Sequence, residues 1–133
     1  MTACAKDIMT TELILAHPDM TIEEAITTLV NNRITGMPVV DENRRIVGVV
    51  SEYDIIKSME SIDETPKIDL NQKIKYTTKA TTVNEDAPLQ EIFKLFLEKR
   101  IRRVPVLNKR NELIGIVTRR DVMRILFYRS KKI

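Results

Sequence analysis

Two short patterns in this chain have the residue types and spacing to do chemistry. Ser51-x-x-Asp54 and Thr118-x-x-Asp121 each place a hydroxyl three residues before a carboxylate. At the start of a helix that spacing makes a capping box, in which hydroxyl and acid satisfy the first free N–H groups. Such a cap needs no ligand. The same geometry also suits recognition. A helix N-terminus offers N–H donors and the positive end of its dipole to a phosphate. A carboxylate beside it can accept two hydrogen bonds from a ribose diol. Cap and ligand contact are compatible, and on these residues alone the cap is the favoured reading.

Other chemistry is thinly supplied. His17 is the only histidine and Cys4 the only cysteine, so no metal site is expected. Gly36, Gly48 and Gly115 are the only glycines, and they form no phosphate-cradling loop. A nucleophile–base pair would have to recruit His17, which stands before Pro18. No catalytic residue is expected, and the chain does not read as an enzyme. A lone thiol makes no internal disulfide, which fits a reducing compartment. The opening MTACAKDIMT lacks the basic start and apolar run of a signal peptide. No stretch is apolar for long enough to span a membrane. The cytoplasm is the expected location.

The elements that must position the two acids come from a repeat. Shifted by 67 residues, the sequence matches itself without a gap. Thr10 meets Thr77, Arg33-Ile34 meets Arg100-Ile101, Pro38-Val39 meets Pro105-Val106, Gly48 meets Gly115 and Asp54 meets Asp121. Each copy reads β-α-β-β-α. An extended segment (Leu13 to Ala16; Ala80 to Val83) precedes a helix. Its apolar stripe is Ile22, Ala25, Ile26, Leu29 and Val30, and in copy two Leu89, Ile92, Phe93, Phe96 and Leu97. Thr21 with Glu24 predicts a capping box, and Pro88 a first helical turn. Two strands follow, Met37–Val40 and Ile46–Val50, then Val104–Leu107 and Leu113–Val117, each pair joined by a polar turn. A second helix starts after Ser51 and after Thr118. The polar stretch from Ser58 to Asn71, with Pro66, predicts a linker. The division expected is residues 1–60, linker 61–72 and residues 73–133.

The chain of 133 residues is 43% hydrophobic and 31% charged, as a folded globular protein should be. One copy alone closes a core poorly. Two copies packed about a pseudo-two-fold axis would close it, and ligand sites favour the clefts that result. Met9, Met20, Met37, Met59 and Met123 are expected to fill core or interface gaps, and the tail from Tyr128 to Ile133 to be a solvated end. Residues 1–66 hold 5 Lys and Arg against 12 Asp and Glu, a balance of −7, whereas residues 67–133 hold 17 against 7, a balance of +10. Such a split favours head-to-tail pairing of two copies. The basic half also raises nucleic acid as a partner, but six aromatic residues and no recognised nucleic-acid motif argue against it.

The run Met37-Pro38-Val39-Val40-Asp41 with Ile46-Val47-Gly48-Val49-Val50-Ser51-Glu52-Tyr53-Asp54 resembles a CBS domain. Val104-Pro105-Val106-Leu107 with Leu113 to Asp121 resembles it equally, and Lys6-Asp7-Ile8-Met9-Thr10 is similar to the usual entry to a first repeat. The resemblance covers nearly the whole chain. It implies an α+β fold of two tandem CBS repeats, a CBS pair or Bateman module. Such pairs bind AMP, ADP, ATP or S-adenosylmethionine in clefts between the repeats, dimerise into a flat disc and regulate a partner, here in trans. The family places ribose on the Asp of the Ser/Thr-x-x-Asp pattern, and with the doubled pattern in view ligand contact is expected for at least one copy. It also makes the apolar residue before the strand proline a wall for adenine. By this pattern one cleft gathers Thr10, Ile14, Met37, Pro38, Arg103, Thr118 and Asp121. The other gathers Thr77, Thr81, Val104, Pro105, Ser51 and Asp54, with Gly36 where the first has Arg103. Arginine forks match phosphate oxygens, so the first cleft is the better site expected. Lys73-Ile74-Lys75-Tyr76-Thr77 departs from the usual entry to a repeat.

Overall fold

The computed structural model describes residues 3–63 and 65–130. In chain order the elements are α1 (Ala5–Ile8), α2 (Ile22–Asn32), β1 (Gly36–Val40), β2 (Ile46–Ser51), α3 (Glu52–Lys57), β3 (Glu60–Asp63), β4 (Thr65–Lys67), β5 (Val83–Asn84), α4 (Leu89–Lys99), β6 (Arg103–Leu107), β7 (Leu113–Thr118) and α5 (Arg119–Ser130). They form two compact units, which cut the chain differently from the sequence repeat. One unit is Ile14–Ala80. The other joins Met1–Leu13 to Thr81–Ile133. The first residues of the chain therefore pack with the second repeat's strands.

In the Ile14–Ala80 unit, β1 and β2 make an antiparallel hairpin in which Met37 faces Val50 and Val39 faces Gly48. The turn is held by the Asp41 carboxylate, which accepts the N–H of Asn43 at 2.8 Å and of Arg45 at 3.0 Å. This is the aspartate-led turn that the polar connection predicts. Helix α2 starts at the expected box: the Glu24 N–H donates to Thr21 Oγ1 at 3.2 Å. It ends on Arg33 in the left-handed conformation. Its stripe delivers Ile22, Ala25 and Leu29 to a core with Ala16, Met37, Val39, Val50, Ile55 and Ile74. The segment expected as a first strand makes one parallel bridge, Ala16 to Val39, because His17-Pro18 follows and proline cannot extend a ladder.

The other unit repeats the plan. β5 runs parallel to β6, and β6 pairs antiparallel with β7. Asn108 takes the place of Asp41, accepting from the N–H groups of Arg110 and Glu112. Arg100 and Asn111 are left-handed at the positions equivalent to Arg33 and Arg44. The core joins Ala5 and Ile8 of α1 to Val83, Leu89, Ile92, Val104, Val106, Val117 and Val122.

Several expectations need correction. The polar stretch after Ser58 is not a plain linker, because β3 and β4 pair as an antiparallel hairpin across it. Val30 and Leu97, assigned to apolar stripes, are 68% and 80% exposed, since each sits one helical position off the buried face. Met37 is core, and Met9 and Met20 pack against the cores, but Met59 and Met123 are exposed. Of the expected tail, Tyr128–Ser130 continues α5, and residues 131–133 lie outside the described residues. No helix among the described residues is long and apolar enough to cross a membrane.

Candidate functional site

Each unit builds the same constellation from its own residues. Strand β7 ends on Thr118, and α5 starts at Arg119. The Thr118 N–H and hydroxyl both donate to Asp121 Oδ2, at 2.8 and 3.0 Å, and the Asp121 N–H returns to Thr118 Oγ1 at 3.2 Å. In the other unit Ser51 and Asp54 do the same at 2.8, 2.9 and 3.3 Å. The capping function is therefore present at both.

A third hydroxyl completes each set, from a distant part of the sequence. Thr10 pairs antiparallel with Ile116, giving and accepting backbone hydrogen bonds at 2.8 and 2.9 Å. That pairing aims the Thr10 hydroxyl at Asp121 Oδ1, to which it donates at 3.0 Å. Thr77 pairs likewise with Val49 and donates to Asp54 Oδ1 at 3.2 Å. Glycine makes both crossings possible. A Cβ on Gly115 would overlap the Met9 side chain, and one on Gly48 would overlap the Thr77 carbonyl oxygen. Tyr76 stands where Met9 does, so the departing entry of copy two still delivers its threonine.

The register sets what flanks each acid. Arg103 opens β6 opposite Thr118, whereas Gly36 opens β1 opposite Ser51. Arg103 is thus the backbone partner of the residue that precedes α5, and Gly36 of the residue that precedes α3. Thr10 and Thr77 are exposed, and Thr118, Ser51, Arg103, Ile14 and Thr81 are half-buried. Thr10, Arg103, Thr118 and Asp121 share one unit, as do Ile14, Met37, Pro38, Ser51, Asp54 and Thr77 the other; Thr81, Val104 and Pro105 belong to the first. Met37, Pro38 and Val104 are fully buried, and Pro105 is buried.

The two acids differ in a way that the repeat does not announce. Asp121 is 1% exposed and also accepts the Arg124 guanidinium at 3.1 Å. The signal was present as an Asp–Arg pair three apart on a helix. Elsewhere, a cavity of about 480 Å³ is lined by His17, Pro18, Asp19, Val40, Asp41, Glu42 and Asn43, none of them from the Ser51–Asp54 set. Among the described residues no cluster of three His, Cys, Asp or Glu side chains could hold a metal ion. Burial and the neighbouring Asp7 carboxylate push the Cys4 thiol above its ordinary pKa, which makes it a poor nucleophile.

The family model for the CBS domain matches residues 5–61 and 73–128. The chloroplastic CBS domain-containing protein CBSX1 of Arabidopsis thaliana is 33% identical over 85% of this chain, which spans 58% of that protein. Inosine-5'-monophosphate dehydrogenase of Methanocaldococcus jannaschii is 32% identical over 90% of the chain, which spans 23% of that enzyme. The chain thus spans less than two thirds of the length of either relative. Among solved structures, Arabidopsis thaliana CBSX2 in complex with AMP superposes with a TM-score of 0.80 at 29% identity, covering 96% of this chain and 98% of that one. The CBS domain pair of protein MJ0100, in complex with 5-methylthioadenosine and S-adenosyl-L-methionine, has a TM-score of 0.73 at 29% identity, covering 93% and 99%.

Proposed function

This chain belongs to the CBS domain family, and on that premise we propose that it is a regulatory module sensing an adenosine-containing molecule, AMP, ADP, ATP or S-adenosylmethionine, and reporting it to a protein partner in trans. The observation that carries this reading is the doubled constellation: a helix-capping carboxylate, its Ser or Thr, and a third hydroxyl brought to it by a crossing segment. A carboxylate at a helix start accepts from a ribose diol, and the N–H groups beside it suit a phosphate. That two similar CBS pairs hold AMP and S-adenosyl-L-methionine supports the ligand class.

In this proposal Asp121 and Asp54 take the ribose, with Thr10, Thr118, Thr77 and Ser51 around them. Arg103 meets phosphate. Ile14, Met37 and Pro38, and Thr81, Val104 and Pro105, are the residues assigned to adenine. The chain binds and does not turn over its ligand. The cytoplasm is its proposed location, on the lone thiol. The assembly proposed is a head-to-tail homodimer, supported by the −7 and +10 halves and by apolar side chains left exposed on the second helices: Tyr53 and Ile56 of α3, and Met123, Leu126 and Phe127 of α5.

Thermal unfolding with each of the four ligands tests this. A ligand at 100 times its Kd adds about 2.7 kcal/mol, a rise of several degrees for a chain of this size. One adenosine ligand should raise Tm, and Asp54→Ala with Asp121→Ala should abolish the rise. No shift with any ligand, together with salt-dependent DNA or RNA binding, would replace this reading with a nucleic-acid one.

A further inference from the structure

The two capping carboxylates are in different states. A carboxylate has about four acceptor positions. Asp121 fills them all: Oδ2 accepts the Thr118 N–H and hydroxyl, and Oδ1 accepts the Thr10 hydroxyl and the Arg124 guanidinium. It is 1% exposed. Asp54 is half-buried, and among the described residues its Oδ1 accepts from Thr77 alone. Lys57 occupies the position equivalent to Arg124, and among the described residues no hydrogen bond or ion pair joins it to Asp54. Lysine is a flexible, strongly hydrated point charge, whereas arginine has a planar fork that is less strongly hydrated and more readily holds a carboxylate.

We propose that Arg124 is an internal competitor for the Asp121 carboxylate. It occupies the oxygen that an incoming diol needs, so Asp54 fills first and Asp121 fills only when Arg124 swings away. The Arg124 side chain is 54% exposed, so it has water to swing into. This deepens the adenosine-sensing reading and rests on it. It reverses the order of the two sites that Arg103 alone suggests: the unit with the phosphate-matching arginine is also the one whose acid is shut. A module with one open and one latched site responds over two concentration ranges of a single ligand.

Calorimetric titration of the full chain with AMP, and separately with S-adenosylmethionine, tests the proposal. The wild type should bind one equivalent tightly, and Asp54→Ala should lose that equivalent. Arg124→Gln should tighten the second site about tenfold, which equals about 1.4 kcal/mol. Lys57→Arg places the competing fork beside Asp54 and should weaken the first site by a similar factor. It also carries the test if Arg124→Gln does not fold. A folded Arg124→Gln that binds as the wild type does, or more weakly, overturns the proposal and leaves the sensing reading standing. So does a wild-type first equivalent that survives Asp54→Ala and is lost in Asp121→Ala. Absence of binding by every variant, wild type included, to AMP, S-adenosylmethionine, ADP and ATP titrated in turn overturns the sensing reading and this proposal with it.

Discussion

Gly48→Ala and Gly115→Ala look like the same substitution in two copies, yet the structure predicts different costs. Neither glycine has a positive φ, so alanine is conformationally permitted and stiffens the unfolded chain, a gain of about 0.4–1 kcal/mol. The steric cost then decides. At Gly48 the new methyl overlaps the Thr77 carbonyl oxygen and meets the Tyr76 ring at 2.5 Å. A backbone carbonyl cannot step aside without breaking the Val49–Thr77 pair, whose two hydrogen bonds measure 2.9 and 3.0 Å. Overpacking costs about 1–3 kcal/mol, and the two bonds about 0.5–1.5 kcal/mol each. The net loss is about 2–4 kcal/mol, or a Tm lower by about 10 °C for a chain of this size. At Gly115 the obstacle is the Met9 side chain, with Cγ at 2.7 Å. Methionine has three soft torsions and can re-pack, so the net loss there is about 1 kcal/mol or less. Thermal unfolding followed by circular dichroism reads both variants. Equal stabilities, or a larger loss at Gly115, would refute the claim that Gly48 is the notch through which the crossing segment runs.

Four further outcomes follow from the same structure. Thr21→Ala removes the capping box of α2 and should cost about 1 kcal/mol in denaturant unfolding. Met37→Ala empties a fully buried core position and should cost about 2–5 kcal/mol by the same assay. Asp7 is held below the ordinary carboxylate range by the Cys4 N–H and thiol. Its contribution is therefore in place above the unfolded-state pKa and is lost as pH falls through the folded-state pKa. Asp7→Asn should lower Tm at neutral pH and converge with wild type in acid, as a pH series of melts will show. Leu126→Asp places a charge on the exposed apolar stripe of α5 and should shift sedimentation from dimer to monomer and remove the dependence of Tm on protein concentration.

Much of this was legible in the residues because the 67-residue register constrains every element twice. The apolar stripes of α2 and α4, apart from Val30 and Leu97, the Thr21–Glu24 box and the two hairpins occur where periodicity and turn chemistry put them. Periodicity cannot say which copy a segment packs with. The CBS resemblance, not periodicity, grouped Thr10 with Asp121 and Thr77 with Asp54, and both pairs are hydrogen-bonded; Gly48 and Gly115 leave room for the strand-edge pairing that brings them together. The β3–β4 hairpin was hidden because Pro66 and a polar run read as a linker, although edge strands tolerate both. Arg124 was overlooked because a helical arginine three residues from an aspartate normally reads as a surface pair of little consequence; only the burial of Asp121 makes it matter.

In the proposed function an adenosine moiety is recognised through Asp54 and Asp121. Equilibrium dialysis with radiolabelled AMP and S-adenosylmethionine, competed by adenosine, by 2'-deoxyadenosine and by GMP, tests it most directly. The expected result is saturable binding that adenosine displaces, that 2'-deoxyadenosine displaces poorly because half of the diol is gone, and that GMP leaves unchanged. Binding to which 2'-deoxyadenosine competes as well as adenosine, or which persists undiminished in an Asp54→Ala, Asp121→Ala double variant, would contradict it.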